Sequence, residues 1–186
     1  MTEKRSREQK REKVIEVLNK ARGMELQAIA QYMNHHYNLD DMDYGDMAAK
    51  VKLIAVDEMR HAEDFAERIK ELDGEPVTEP IAETRSSDDV EVILKSDLKL
   101  EDDTLDDYND FLEVCRENGD STSAKIFERI IDEEQMHFNY FDDVRDHIER
   151  LGQPYLARIA GTPSTTNLNS PGFAAREGAD AADQGA

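Results

Sequence analysis

Apolar residues recur along most of the chain at steps of three and four, the spacing that lines one face of an α-helix. The first stripe is Val14, Leu18, Ala21, Glu25, Ala28 and Tyr32, which predicts a helix A running to about Asn38. The residues before it, 1 to about 12, are charged and aperiodic at first and read as a frayed arm. A short polar link, LDDMDYGD, leads to Met47, Val51, Ile54, Glu58, His61, Phe65, Ile69 and Leu72. That stripe predicts helix B, closed by Gly74. Val90, Leu94, Asp97, Glu101, Leu105, Tyr108 and Leu112 define helix C, ending near Asn118 and Gly119. Ala124, Phe127, Ile130, Glu134, His137, Phe141, Val144, Ile148 and Leu151 define helix D, stopped by Gly152. In QPYLARIA, Pro154 suits the first turn of a short fifth helix. From Gly161 the chain is rich in Ser, Thr, Asn, Pro, Gly and Ala without a period, so residues 161–186 are expected to be a disordered tail without chemistry. One domain over residues 13–160 follows.

Loop lengths order the helices. The link between A and B is short, which makes them antiparallel neighbours. Residues 74–87 carry Pro76 and Pro80 and no period, and residues 86–89 offer N-cap side chains for helix C. Fourteen extended residues span roughly 46 Å, while a helix of about 28 residues is roughly 42 Å long. This connection therefore crosses the whole bundle and leaves B and C parallel. The expected fold is all-α, a four-helix bundle with one long crossover between B and C and a short fifth helix.

Composition narrows the function. Charged residues at 35% and the absence of Trp suit exposed helices better than a β-sandwich. A net charge of -20 repels nucleic-acid phosphates and anionic membrane surfaces and concentrates cations, although an acidic surface also serves plain solubility. No apolar run reaches the roughly 18 residues of a membrane span, so no nucleic acid and no membrane are expected as partners and the location is expected to be cytoplasmic. The single cysteine, Cys115, excludes an internal disulfide and any CxxC metal site, and reads as a small core residue.

Four glutamates and two histidines fall where the apolar stripes otherwise demand Leu or Ile. Glu58 and His61 form one Glu-x-x-His pair, Glu134 and His137 a second. Residues three apart share a helix face, so each pair aims a carboxylate and an imidazole at one point. One such pair is common on a solvated face. Here Glu58 and His61 map onto Glu134 and His137 at an offset of 76 residues, and the same offset carries Glu25 onto Glu101, Tyr32 onto Tyr108 and Phe65 onto Phe141. The chain is two similar helical hairpins, and the six polar residues point inward in both. Four buried carboxylates repel one another and cost several kcal/mol each unless compensated. With two neutral imidazoles they sum to -4, the charge of two divalent cations, and mixed oxygen and nitrogen donors suit iron or manganese. A protonated or salt-bridged core cluster is the alternative.

GMELQAIAQY, VDEMRHAED, KSDLKLEDD and DEEQMHFNY resemble the helix A to D motifs of bacterioferritins, ferritin-like proteins whose di-iron ligand set has this composition. The resemblance covers residues 13 to 160. It implies Glu25, Glu58, His61, Glu101, Glu134 and His137 as iron ligands, with Glu58 and Glu134 bridging, and it implies the same six residues as the catalytic centre of a ferroxidase. It also implies iron storage as a mineral in a cage of 24 subunits built from twofold dimers, O2 or H2O2 as oxidant, and a ferredoxin-like or rubredoxin-like electron donor. Tyr32 becomes a candidate electron donor, whereas as core aromatics Tyr32, Tyr108 and Tyr140 need no such role.

Met59 follows Glu58 by about 100° around helix B and so lies on an outer face, together with Ala55, Ala62 and Ala66 and beside Leu26, Ala30 and Met33 of helix A. The resemblance makes Met59 the ligand through which two subunits share a haem or related iron porphyrin; a methionine packed in an apolar dimer contact is the other reading. Gln135 occupies the equivalent position in helix D, so only one hairpin has this feature. His35, His36 and His147 have no ligand partner at helical spacing and are expected on the surface. Leu53 stands where some relatives carry an inner-surface histidine. The function expected is oxidation of Fe(II) and storage of Fe(III). Another di-metal enzyme on this fold, such as a peroxidase or a manganese catalase, and a purely structural bundle are the competing classes.

Overall fold

The computed structural model describes residues 6–164 and 171–175. Between residues 6 and 164 five helices follow one another: α1 (Arg7–Asp41), α2 (Gly45–Glu71), α3 (Val90–Glu117), α4 (Ser121–Leu151) and the short α5 (Gln153–Ile159). α1 packs along α2 and α3 along α4, and the two hairpins close into the expected bundle. No helix among the described residues is long and apolar enough to cross a membrane.

The arm expected over residues 1–12 is shorter. Residues 1–5 lie outside the described residues, and α1 starts at Arg7 because Ser6 and Gln9 form a capping box, each side chain bonding the other's backbone N–H. Asp89 and Asp120 cap α3 and α4, each accepting from two backbone N–H groups. Both capping carboxylates also favour the positive helix end. At the end of α2 the left-handed residue is Asp73 (φ 59°), not Gly74. Gly74 is needed for space, since a Cβ there would sit 2.8 Å from Ile69 Cγ2 and 3.0 Å from Ile15 Cγ2.

The crossover runs back along the full length of α1 and is fastened to it. Asn19 Nδ2 donates to the Glu75 carbonyl at 3.1 Å and Arg22 Nε to the Val77 carbonyl at 2.8 Å. Further along, Ile81 N donates to the Gly23 carbonyl at 2.9 Å, Gln31 exchanges two bonds with the Arg85 backbone, and Asn38 Nδ2 donates to the Ser87 carbonyl. These bonds satisfy a loop that has no ladder of its own. They also bring the start of α3 back to the start of α2, which makes the two parallel.

Two apolar clusters fill the bundle. One contains Phe65, Phe127 and Tyr108, with ring centroids 5.1 to 5.7 Å apart, and buries Cys115 as expected. The other contains Leu39, Ile54, Ile93 and Phe141, together with Tyr32 stacked on Phe141 at 5.9 Å. The band of the bundle between them is polar.

The tail departs from its expected disorder wherever it is described. Gly45 N donates to the Thr162 carbonyl at 2.9 Å, and Thr162 Oγ1 accepts from Asp46 N at 3.1 Å, so residues 161–164 are tied to the start of α2. Phe173 is buried against the bundle. Aperiodic sequence hid both contacts: the first is made by backbone and a threonine, the second by one aromatic side chain. The rest of the tail, residues 165–170 and 176–186, lies outside the described residues.

Candidate metal centre

All six inward polar residues meet in the band between the clusters. Glu25 comes from α1, Glu58 and His61 from α2, Glu101 from α3, and Glu134 and His137 from α4; all are buried. Their donor atoms form two groups, Glu25, Glu58, His61 and Glu134 on one side and Glu58, Glu101, Glu134 and His137 on the other, each with all its atoms within 4.8 Å of one another. Glu58 and Glu134 belong to both. His61 Nδ1 lies 2.9 Å from Glu58 Oε2 and 3.1 Å from Glu134 Oε1. His137 Nδ1 lies 3.2 Å from both Glu58 Oε1 and Glu134 Oε2.

The neighbours follow the same offset of 76 residues as the six. Tyr32 Oη donates to Glu101 Oε1 and Tyr108 Oη to Glu25 Oε1, both at 2.5 Å, so each tyrosine serves the glutamate of the other hairpin. The residues just before Glu58 and Glu134 approach the histidines in the same crossed way, though unequally. Glu133 Oε2 bonds His61 Nε2 at 3.2 Å, while Asp57 Oδ2 lies 3.5 Å from His137 Nε2, which has no well-formed hydrogen bond among the described residues. A carboxylate on Nε2 leaves Nδ1 facing the centre, the usual way a protein orients a metal-binding imidazole. Sequence reading missed Asp57 and Glu133, yet the signal was there: the repeat that pairs the glutamates also carries Asp57 onto Glu133.

Protonation shows how the cluster tolerates burial. Desolvation, then the charges of Glu134 and Glu58, push the carboxyl of Glu25 well above its ordinary range; desolvation and Glu134 do the same to Glu101. Burial opposes the charged forms of His61 and His137, but the carboxylates around them outweigh it and raise both. Glu134 moves the other way, because hydrogen bonds from the two imidazoles overcome its desolvation. The cluster thus holds protons where a cation would otherwise supply positive charge. Glu58 Oε1 and Glu134 Oε1, although close to ring nitrogens, are buried without a well-formed hydrogen bond among the described residues. These oxygens, in a donor set of four carboxylates and two imidazoles, fit a pair of divalent metal ions of borderline hardness.

Two surface expectations are corrected. His35 and His36 are buried, because their partners sit on other elements where helical spacing could not reveal them. His35 Nδ1 lies 2.7 Å from Asp97 Oδ1 of α3 while Gln31 Nε2 approaches its Nε2 at 2.8 Å, and His36 Nδ1 meets the Ala48 carbonyl at 2.9 Å. Desolvation lifts the Asp97 carboxyl to about 6, against the pull of His35. His147 is exposed, as expected, and stacks on Tyr155. Leu53 is buried in the core.

Met59 is 56% exposed on the outside of α2, a large apolar side chain left uncovered by this chain. Ala55 and Ala62, expected beside it on that outer face, are instead covered within the chain.

The Ferritin-like domain family matches residues 15–151. A bacterioferritin of Desulfovibrio desulfuricans is 59% identical over 90% of this chain and 94% of its own length. The bacterioferritin BfrA of Mycobacterium tuberculosis is 33% identical over 82% of this chain and 96% of its own. Among solved structures, the X-ray structure of the Desulfovibrio desulfuricans bacterioferritin, described as showing its diiron site in different catalytic states, superposes with a TM-score of 0.86 at 58% identity, covering 91% of this chain and 99% of that one. The Mycobacterium tuberculosis BfrA structure gives a TM-score of 0.76. Fold and site define a ferritin-like four-helix protein with a dinuclear metal centre. Within that class, the chain belongs to the bacterioferritin family.

Proposed function

We propose that this protein oxidises Fe(II) at the centre formed by Glu25, Glu58, His61, Glu101, Glu134 and His137, and stores the Fe(III) as an oxyhydroxide mineral inside a cage of 24 subunits. The observation that carries the reading is the pair of four-residue clusters sharing Glu58 and Glu134. That sharing supports a reading in which Glu58 and Glu134 would be held in common by two ions, with Glu25 and His61 completing one site and Glu101 and His137 the other.

Two bound Fe(II) ions supply one electron each, a pair that with two protons reduces O2 to H2O2 or H2O2 to two waters. The protein's part is to bind and orient. Hard carboxylate oxygens favour Fe(III) over Fe(II), which lowers the potential and drives the oxidation. Glu133 holds the His61 imidazole with Nδ1 inward, and Asp57 faces the His137 ring from the corresponding side. The tyrosine hydroxyls fix Glu25 and Glu101 through Oε1 of each, the oxygen that also faces His61 and His137 respectively. The flanking apolar clusters exclude bulk water from the band.

Met59 carries the haem part of the proposal. Its thioether is exposed at the centre of α2, which supports a role in which it would ligate a haem or related porphyrin jointly with the same residue of a second copy. A ferredoxin-like or rubredoxin-like donor would return electrons for iron release, in the cytoplasm.

Glu25→Ala and His137→Ala are each expected to abolish rapid Fe(II)-dependent oxygen uptake while leaving the assembled mass, about 24 times 21.2 kDa, unchanged by light scattering. Unchanged uptake in both variants would defeat the assignment, and a stable dimer in the wild type would favour a different di-metal enzyme. The purified protein is expected to show a Soret band that disappears in Met59→Leu.

A further inference from the structure

The two halves of the metal centre are related by the internal repeat and both histidines are buried, but among the described residues the carboxylates behind them differ in exposure. On the His61 side, Glu133 stands 29% exposed and is held by Arg129, whose Nη1 lies 3.1 Å from Glu133 Oε1. It borders an open cavity of about 630 Å³ that runs past Asp64 and Arg129 to Arg60, Asp57 and the edge of residues 174–175, so the cavity reaches Glu133 directly and Asp57 only beneath that segment. On the His137 side, the matching carboxylate, Asp57, is only 2% exposed because residues 172–174 lie across it.

Those residues fit closely. Ala174 N donates to Asp57 Oδ2 at 2.8 Å, while Arg60 Nη1 donates to Asp57 Oδ1 at 2.9 Å, so the carboxylate facing His137 is bonded on both oxygens. The ring of Phe173 is buried edge-on to His137 at 5.8 Å and against Tyr140 at 5.3 Å, with Lys50 Nζ 5.0 Å from its centre. Gly172 passes so near that a Cβ would stand 1.6 Å from Asp57 Oδ1 and 2.5 Å from Arg60 Nη1, so any larger residue must push these side chains or the segment aside. Nothing in the repeat supplies a counterpart to Phe173 over His61.

We propose that residues 172–174 are a strap that closes the His137 half of the metal centre, with Phe173 as its positioning residue, so that the two metal positions load in sequence. The first ion enters on the open Glu133 side. The second waits for the strap to lift. Entry through a transiently opened segment is slowed by the fraction of time that segment is open, so weakening the strap speeds that step alone. The proposal rests on the dinuclear reading of the centre.

The test uses Co(II), whose visible d–d bands report its coordination without oxidation chemistry, mixed with the metal-free assembled full-length protein in a stopped-flow spectrometer. Wild type is expected to load in two phases. Phe173→Ala and Gly172→Ala are each expected to speed the slow phase by roughly tenfold or more while the fast phase keeps its rate. Phe173→Leu, which retains an apolar cap, is expected to keep most of the slow phase. A single phase in wild type, or a slow phase that neither Phe173→Ala nor Gly172→Ala changes, overturns the strap while leaving the dinuclear centre standing. No cobalt bands in wild type would overturn the dinuclear reading and the strap with it.

Discussion

Loading the centre with metal must expel protons, and their number tests the electrostatic account. In the metal-free protein His61 and His137 are raised well above their ordinary value by the surrounding carboxylates, and Glu25 and Glu101 are raised by burial and by Glu134. A protonated imidazole cannot ligate, and a protonated carboxyl ligates poorly. At pH 6 a redox-inert pair of Zn(II) ions is therefore expected to displace at least two protons, from the imidazoles, and up to four per subunit. Each displaced proton changes the binding free energy by about 1.4 kcal/mol per pH unit, a factor of ten. With two to four protons shared between two ions, affinity per ion should rise roughly ten- to a hundredfold from one pH unit to the next. The sign for the metal-free fold is the opposite. A folded state that binds more protons than the unfolded chain loses stability as pH rises, first above the ordinary carboxyl range for Glu25 and Glu101, then above the ordinary histidine range for His61 and His137. Glu134, which is lowered, contributes stability that is lost only as pH falls below the carboxyl range. Calorimetric titration in two buffers of different ionisation enthalpy counts the protons, and chemical denaturation of the apoprotein between pH 5 and pH 8 reads the stability. Zinc binding without proton release, together with apoprotein stability that climbs with pH, would refute the reasoning.

Three further outcomes rest on separate parts of the molecule. Phe65→Ala removes the ring that contacts both Tyr108 and Phe127 and should cost about 3 to 5 kcal/mol in chemical denaturation, with the helices retained by circular dichroism. Gln31→Ala removes both bonds to the Arg85 backbone and the amide beside His35, so a loss of about 1 to 3 kcal/mol and faster proteolysis within the crossover are expected; an unchanged cleavage rate would mean that these bonds do not hold the loop. Burial pushes the Cys115 thiol up to about 12, so a disulfide reagent at pH 8 should leave it unmodified in the folded protein and label it fully in denaturant.

The apolar stripes locate all four long helices because each buries one continuous face, and that face is written at steps of three and four. The centre was equally legible. Its six residues interrupt the stripes, and the repeat places them twice. What the stripes could not carry was any contact between a helix and something aperiodic. Ser6 and Gln9 extend α1 through a local exchange of hydrogen bonds, and Thr162 and Phe173 fix parts of the tail through single contacts. His35 belongs to the same class, since Asp97 reaches it from another helix.

That difference bears on where this chain's individuality lies. The duplicated hairpin yields a nearly symmetric centre, with Tyr32 matched by Tyr108 and Asp57 by Glu133, and symmetry alone would make the two metal positions equivalent. Two departures from that symmetry stand out. Met59 faces outward on α2 where Gln135 takes its place on α4, and Phe173 covers one histidine and not the other. The six inward residues are supplied by both hairpins together. On the proposed reading, the unmatched residues decide which side of the bundle meets a second copy and which side of the centre opens first. A variant carrying Met59→Gln and Phe173→Ala together should thus keep its six-residue centre and its metal stoichiometry while losing both asymmetries, the porphyrin band and the slow phase of cobalt loading. Loss of metal stoichiometry in that variant would mean that the asymmetric residues also hold the centre together.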